Sequence, residues 1–143
     1  MIVTEKKTFP DTGETLVYFI NEETFKKDML LHDLDILTDK RITKQSIIYD
    51  FKGKKNTRIL VEGGKSYEHI IIYGLGHIKE YSSLFLREAV AECVHIAQTL
   101  KTKKLRIFYT SLLGNEYFKL GKNIALGYYL GQYVFDKYKE KKE

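Results

Sequence analysis

The run His69-Ile70-Ile71-Ile72-Tyr73 constrains the fold of this chain more than any other feature. It is apolar at consecutive positions, where a strand with one wet face would alternate. Residues 15–20 and 105–109 have the same character, and residues 58–61 form a further β-branched, apolar run. Strands of this kind need cover on both faces, so the sheet they build must lie between layers of helix. Gly63-Gly64 separates the runs at 58–61 and 69–73 and marks a turn between two strands.

Segments of helical period alternate with these strands. Glu22, Glu23 and Thr24 follow Asn21 and suit a helix start. Phe25, Met29 and Leu30 then recur at helical spacing, with Leu34 and Leu37 less regular. Residues 42–51 fit a short helix or a strand equally well. Ser82 or Ser83 can cap a long helix through Leu100, with Phe85, Leu86, Ala89, Val90, Cys93, Ala97 and Leu100 facing inward. A last helix begins near Glu116 and carries Gly121, Gly127 and Gly131. Each interior glycine costs about 1 kcal/mol against alanine, so close packing must compensate. Within GYYLGQYVFDKYK (residues 127–139), Gly127 and Gly131 share a face with Ile124, Val134 and Tyr138. Leu126, Leu130 and Tyr133 form a second apolar face, as expected of a helix wedged between its own domain and a neighbour. The order strand, long helix, strand, long helix implies right-handed crossovers.

At 143 residues the chain is expected to form one domain, residues 1–143, that buries about two-thirds of its unfolded surface. No stretch of eighteen apolar residues is present, and the opening MIVTEKKTF lacks the apolar core of a signal sequence. The single cysteine, Cys93, lies in an apolar helical pattern, the usage of a reducing compartment. A cytoplasmic location is expected.

The net charge of +5 admits a nucleic-acid partner. The basic clusters are Lys52, Lys54, Lys55 and Arg58, and Lys101, Lys103, Lys104 and Arg106. Each cluster precedes a strand, where a solvated turn is expected, and the lysines of the tail alternate with Asp136, Glu140 and Glu143. Exposed aromatics or a reading helix, which a nucleic-acid surface usually adds, are missing.

Few motifs carry chemistry. Gly74-Leu75-Gly76 after a strand has the letters of a phosphate-cradling turn, but Lys79 stands where a dinucleotide fingerprint needs its third glycine. A tight strand-to-helix turn is the plainer reading. Gly63-Gly64-Lys65-Ser66 ends like a P-loop, yet Ile59 occupies the position of the first glycine and the segment joins two strands. His32, His69, His77 and His95 form no recognised ligand spacing, and Cys93 and His95 project in different directions from one helix. A coordinated pair of His69 and His77 has no carboxylate at a recognised ligand spacing to support it. Ser82, Ser83 and Ser111 lack a nucleophile-elbow context. Asp33 and Asp35, and Glu22 and Glu23, read as helix-end and turn carboxylates in polar surroundings rather than as acid–base pairs. No catalytic, cofactor-binding or metal-ligating residue is therefore assigned.

Three blocks resemble the N-terminal domain of the leucyl (cytosol) aminopeptidase family. They are His69-Ile70-Ile71-Ile72-Tyr73-Gly74-Leu75-Gly76, Leu86-Arg87-Glu88-Ala89, and Ala125-Leu126-Gly127 with Leu130-Gly131 and Tyr133-Val134-Phe135-Asp136-Lys137-Tyr138-Lys139. Their order and spacing agree with the family. The resemblance implies an α/β fold, a three-layer macro-domain-like unit with a mixed β-sheet flanked by helices on both faces. It also implies a C-terminal catalytic aminopeptidase domain as partner, a hexameric parent, and two divalent ions, zinc or manganese, held in that catalytic domain. The family's metal ligands and its Asn-Thr-Asp-Ala-Glu-Gly-Arg signature match no residue here, so this chain inherits no catalytic role from them. The expected function is assembly and access to the catalytic domain. The alternatives are a free-standing macro-like module binding ADP-ribose or a nucleotide through the Gly74 turn, and a basic nucleic-acid-binding protein.

Overall fold

The computed structural model describes residues 2–4, 13–64, 67–77, 79, 82–102 and 104–109. The elements are, in chain order, β1 (Ile2–Thr4), β2 (Gly13–Ile20), α1 (Met29–Leu37), α2 (Arg41–Ile48), β3 (Arg58–Glu62), β4 (Tyr67–Gly74), α3 (Ser83–Thr99) and β5 (Leu105–Tyr109). The strands form one mixed sheet in the order β1-β5-β2-β4-β3. β2 lies at its centre, parallel to both β4 and β5. β1 runs parallel to β5 on one side, and β3 is antiparallel to β4 on the other.

The consecutive apolar residues of β2 and β4 face two cores. Val17, Phe19, Ile71, Tyr73 and Ile107 meet the buried stripe of α3, formed by Phe85, Leu86, Ala89, Val90, Cys93, Val94 and Ala97. Leu16, Tyr18, Ile20, Ile70, Ile72 and Phe108 meet Leu31, Leu34 and Ile42 of α1 and α2. The fold is thus a three-layer α/β unit, as the sequence predicts. The Gly63-Gly64 turn between β3 and β4 and the inward face of α3 are also as expected, with Ser82 rather than Ser83 as the cap: its hydroxyl accepts from the Phe85 amide at 3.1 Å. The glycine-bearing helix predicted from Glu116, its faces at residues 127–139 included, lies outside the described residues.

Three expectations need correction. Residues 22–27 are turns, and the helix begins at Met29. Asp28 is the true cap: its carboxylate accepts from the amides of Leu30 (3.0 Å) and Leu31 (3.1 Å). Met29, read as an apolar helix position, is 70% exposed, because the buried face of α1 runs through Leu31 and Leu34. The undecided segment at 42–51 contains α2. β1, three residues long, has no counterpart in the sequence reading.

Asp35 was expected in polar surroundings and is instead buried between α1 and α2. Its carboxylate accepts from the Thr43 amide at 2.9 Å and from the Thr43 hydroxyl at 2.5 Å. It thereby satisfies donors of the first turn of α2, whose N-cap Lys40 offers no side-chain bond. Asp35→Ala should lower unfolding stability by about 2 kcal/mol, because it leaves the Thr43 amide unsatisfied. Urea denaturation monitored by circular dichroism checks this, with exposed Asp33→Ala expected to change stability by less than about 0.5 kcal/mol.

Candidate functional site

Parallel strands place ligands most often beyond their carboxyl ends. Here β2 ends at Ile20 and β4 at Gly74, and three loops converge on that edge. The turn at 74–76 is built from their backbone hydrogen bonds. The Gly74 amide donates to Thr57 O (2.7 Å), the Leu75 amide to Ile20 O (2.8 Å) and the Gly76 amide to Gly53 O (2.9 Å). In return the Glu22 amide donates to Gly76 O at 3.0 Å. An anion cradle needs amides that face the ligand, and all three of these face carbonyls. The turn is therefore a junction that ties the ends of β2 and β4 to the loop before β3.

Glycine is required at this junction for two reasons. Gly53 and Gly76 have φ of +84° and +78°, the left-handed region that side chains disfavour. A Cβ on Gly74 would lie 2.6 Å from Gly53 C and collide with Lys54 O. Both obstacles are backbone, so neither can turn aside. Gly74→Ala should cost more than about 2 kcal/mol, and Gly76→Val should also destabilise through strain; thermal unfolding of the two variants checks both.

The fold brings together one cluster that the sequence did not announce. Glu22 and Glu23 meet His77 at the same edge, Glu22 Oε2 lying 3.0 Å from Nε2 and Glu23 Oε1 2.6 Å from Nδ1. Some fifty residues separate the partners in sequence, which is why inspection along the chain did not connect them. With a carboxylate at each ring nitrogen, the imidazolium form can donate to both. His69 stands near the start of β4, away from this cluster, and His32 and His95 lie on α1 and α3. Among the described residues no three His, Cys, Asp or Glu side chains converge as a metal site.

A groove of about 490 Å³ opens between α1 and α2. Phe25, Leu31, Ile42 and Phe51 give it an apolar floor, with Phe25 and Phe51 in edge-to-face contact at 5.2 Å. Asp28 and Asp35 also line it, but Asp28 caps α1 and accepts from the Tyr18 hydroxyl (2.8 Å), while Asp35 holds Thr43. The groove suits an apolar side chain; His32 and the exposed ion pair of Asp50 with Lys52 also line it.

Cys93 is fully buried, and burial first, then the charge of Glu92, pushes its thiol well above the ordinary range, which suppresses the thiolate a nucleophile needs. Glu92 accepts from the Tyr73 hydroxyl (2.5 Å) and pairs with Arg58, joining α3, β4 and β3. Within the first basic cluster, Lys52 lies 3.4 Å from Asp50 and the Lys55 ammonium sits 4.5 Å from the centre of the Phe85 ring. Lys103, Ser111, Lys65 and Ser66 lie outside the described residues.

Tyr73 and Tyr18 are both raised above their ordinary value of 10.0, chiefly by burial and further by Glu92 and Asp28 respectively. The unfolded chain therefore releases these protons first as pH rises, and stability should fall above about pH 10. Tyr73→Phe should flatten that alkaline decline, as equilibrium unfolding across pH 8 to 11.5 would show.

A family model described as the cytosol aminopeptidase family, N-terminal domain, matches residues 16–142. Among solved structures, a mutant tomato leucine aminopeptidase superposes with a TM-score of 0.75 at 20% identity, over 90% of this chain and 27% of that one. The macrodomain of Mycobacterium tuberculosis DarG superposes with a TM-score of 0.65 at 13% identity, over 90% of this chain and 91% of that one. Both likenesses are of fold. No curated protein matches the sequence. The chain spans about a quarter of the tomato enzyme's length, and the family match covers nearly all of it. Through that match, the chain belongs to the cytosol aminopeptidase family as its N-terminal domain.

Proposed function

We propose that this chain is the non-catalytic N-terminal domain of a cytosolic leucyl aminopeptidase, serving assembly and access to a C-terminal catalytic domain. The observation that carries the reading is the family match over residues 16–142 in a chain that spans 27% of the tomato enzyme. The parent would release N-terminal amino acids from peptides as a cytoplasmic hexamer. Two zinc or manganese ions would polarise the peptide carbonyl and activate water in its catalytic domain. The described residues do not fit such a centre, so the ligands would come from that domain. The segment at 127–139, with its two apolar faces in sequence, would form the link.

The reading predicts that the purified chain, given Mn²⁺ or Zn²⁺ and leucine p-nitroanilide, releases nitroaniline no faster than the metal alone. A rate proportional to protein concentration, and abolished by a chelator, would overturn it.

The likeness to a macrodomain favours a second reading, a module binding ADP-ribose or a nucleotide. The commitment of the Gly74, Leu75 and Gly76 amides to backbone carbonyls weighs against that turn as the binding element. Calorimetry should give no heat with ADP-ribose. Micromolar binding that is lost in Gly76→Val, with the variant still folded, would restore the second reading.

A further inference from the structure

The outer edge of β3 has a pattern that fits a second copy of itself. β3 is the terminal strand of the sheet on its side, and among the described residues no strand pairs with its far edge. Its direction of hydrogen bonding follows from the bonds that flank its ladder with β4. Gly74 N donates to Thr57 O and Gly63 N to Glu68 O. In an antiparallel pair such residues alternate with ones whose backbone groups face away. Residues 57, 59, 61 and 63 therefore face β4, and Arg58, Leu60 and Glu62 direct their N–H and C=O groups outward. The Arg41 guanidinium, which approaches Glu62 O from outside the sheet at 3.4 Å, agrees with this assignment.

We propose that two copies of this chain associate through antiparallel pairing of β3 with β3 about a twofold axis at Leu60. That register brings every outward N–H and C=O of Arg58, Leu60 and Glu62 opposite a partner. It also sets Arg58 of each copy against Glu62 of the other, with Leu60 against Leu60 between them. Centring the axis on Arg58 or on Glu62 instead would place like charges face to face. Centring it on Ile59 or Val61 keeps the hydrogen-bond direction but sets Arg58 or Glu62 opposite Leu60 and leaves the charges unmatched. Of these registers only the one centred on Leu60 matches each charge with its opposite.

Side chains on both faces of the sheet support this edge as an interface. Arg58, Leu60 and Glu62 are exposed on the α3 side, Leu60 to 43%. On the other side α2 packs beside β3, where Arg41 reaches Glu62 O. Leu60 is thus a large apolar residue exposed beside this edge, where pairing would bury it. Arg58 has donors enough to hold Glu92 within its own chain and Glu62 of the second copy. A foreign strand lacking charges at this spacing would leave Arg58 and Glu62 unmatched, which is why a second copy is the better occupant.

Sedimentation equilibrium of the 143-residue chain from about 10 to 500 µM tests the proposal. The mass should rise from 16.8 kDa toward that of a dimer. Glu62→Arg and Arg58→Glu should each weaken self-association at least about tenfold, while an equimolar mixture of the two should dimerise, because their charges complement. Leu60→Lys serves as a third variant, at an exposed position independent of Glu92, and should also stay monomeric with an unchanged far-ultraviolet spectrum. Amide exchange at Leu60 should slow as wild-type concentration rises. A wild-type chain that stays at 16.8 kDa throughout would overturn the proposal. So would a dimer that Leu60→Lys leaves intact, or one whose Leu60 amide exchanges no more slowly than in the monomer.

Discussion

Parallel pairing of β2 between β4 and β5 is the constraint on which the rest of the molecule depends. From Leu16 to Phe19 every residue of β2 is fully buried, so neither face of the central strand meets water. Burial on that scale requires helices on both sides, which α3 provides on one and α1 with α2 on the other. It also requires that the chain leave the strand without stranding polar backbone in the interior. At the carboxyl end the answer is a three-way junction, in which Ile20, Gly53 and Thr57 accept from the amides of residues 75, 76 and 74. Glycine at 53, 74 and 76 follows from the closeness of those approaches.

The side chains with chemical potential are mostly engaged in holding this frame. Asp28 caps α1, Asp35 anchors α2, and Glu92 joins a helix to two strands through Tyr73 and Arg58. Cys93 is sealed in the core. The macrodomain likeness shows that the architecture is shared beyond the aminopeptidase family.

Legibility in the sequence followed the strength and length of each signal. The apolar runs of β2, β4 and β5 reported burial on both faces directly, and the seventeen-residue α3 repeated its inward stripe often enough to be unmistakable. Short elements gave less. α2 has eight residues and one buried side chain, Ile42, so its period could not be separated from that of a strand. The helix start was misread because Glu22, Glu23 and Thr24 imitate a cap, while Asp28 immediately before Met29 is the residue that performs the role. Contacts across long separations were illegible: His77 with Glu22 and Glu23, or Arg58 with Glu92, arise only when the sheet brings the loops together.

The central claim is that this domain belongs to a larger enzyme, and the mass of the native protein in its source cell tests it most directly. Immunodetection followed by intact mass spectrometry should find a species of about 50 kDa, the size implied when nine-tenths of this chain align with 27% of the tomato enzyme's length. A native species of 16.8 kDa would contradict the account and leave a free-standing domain whose function must lie within its own surface.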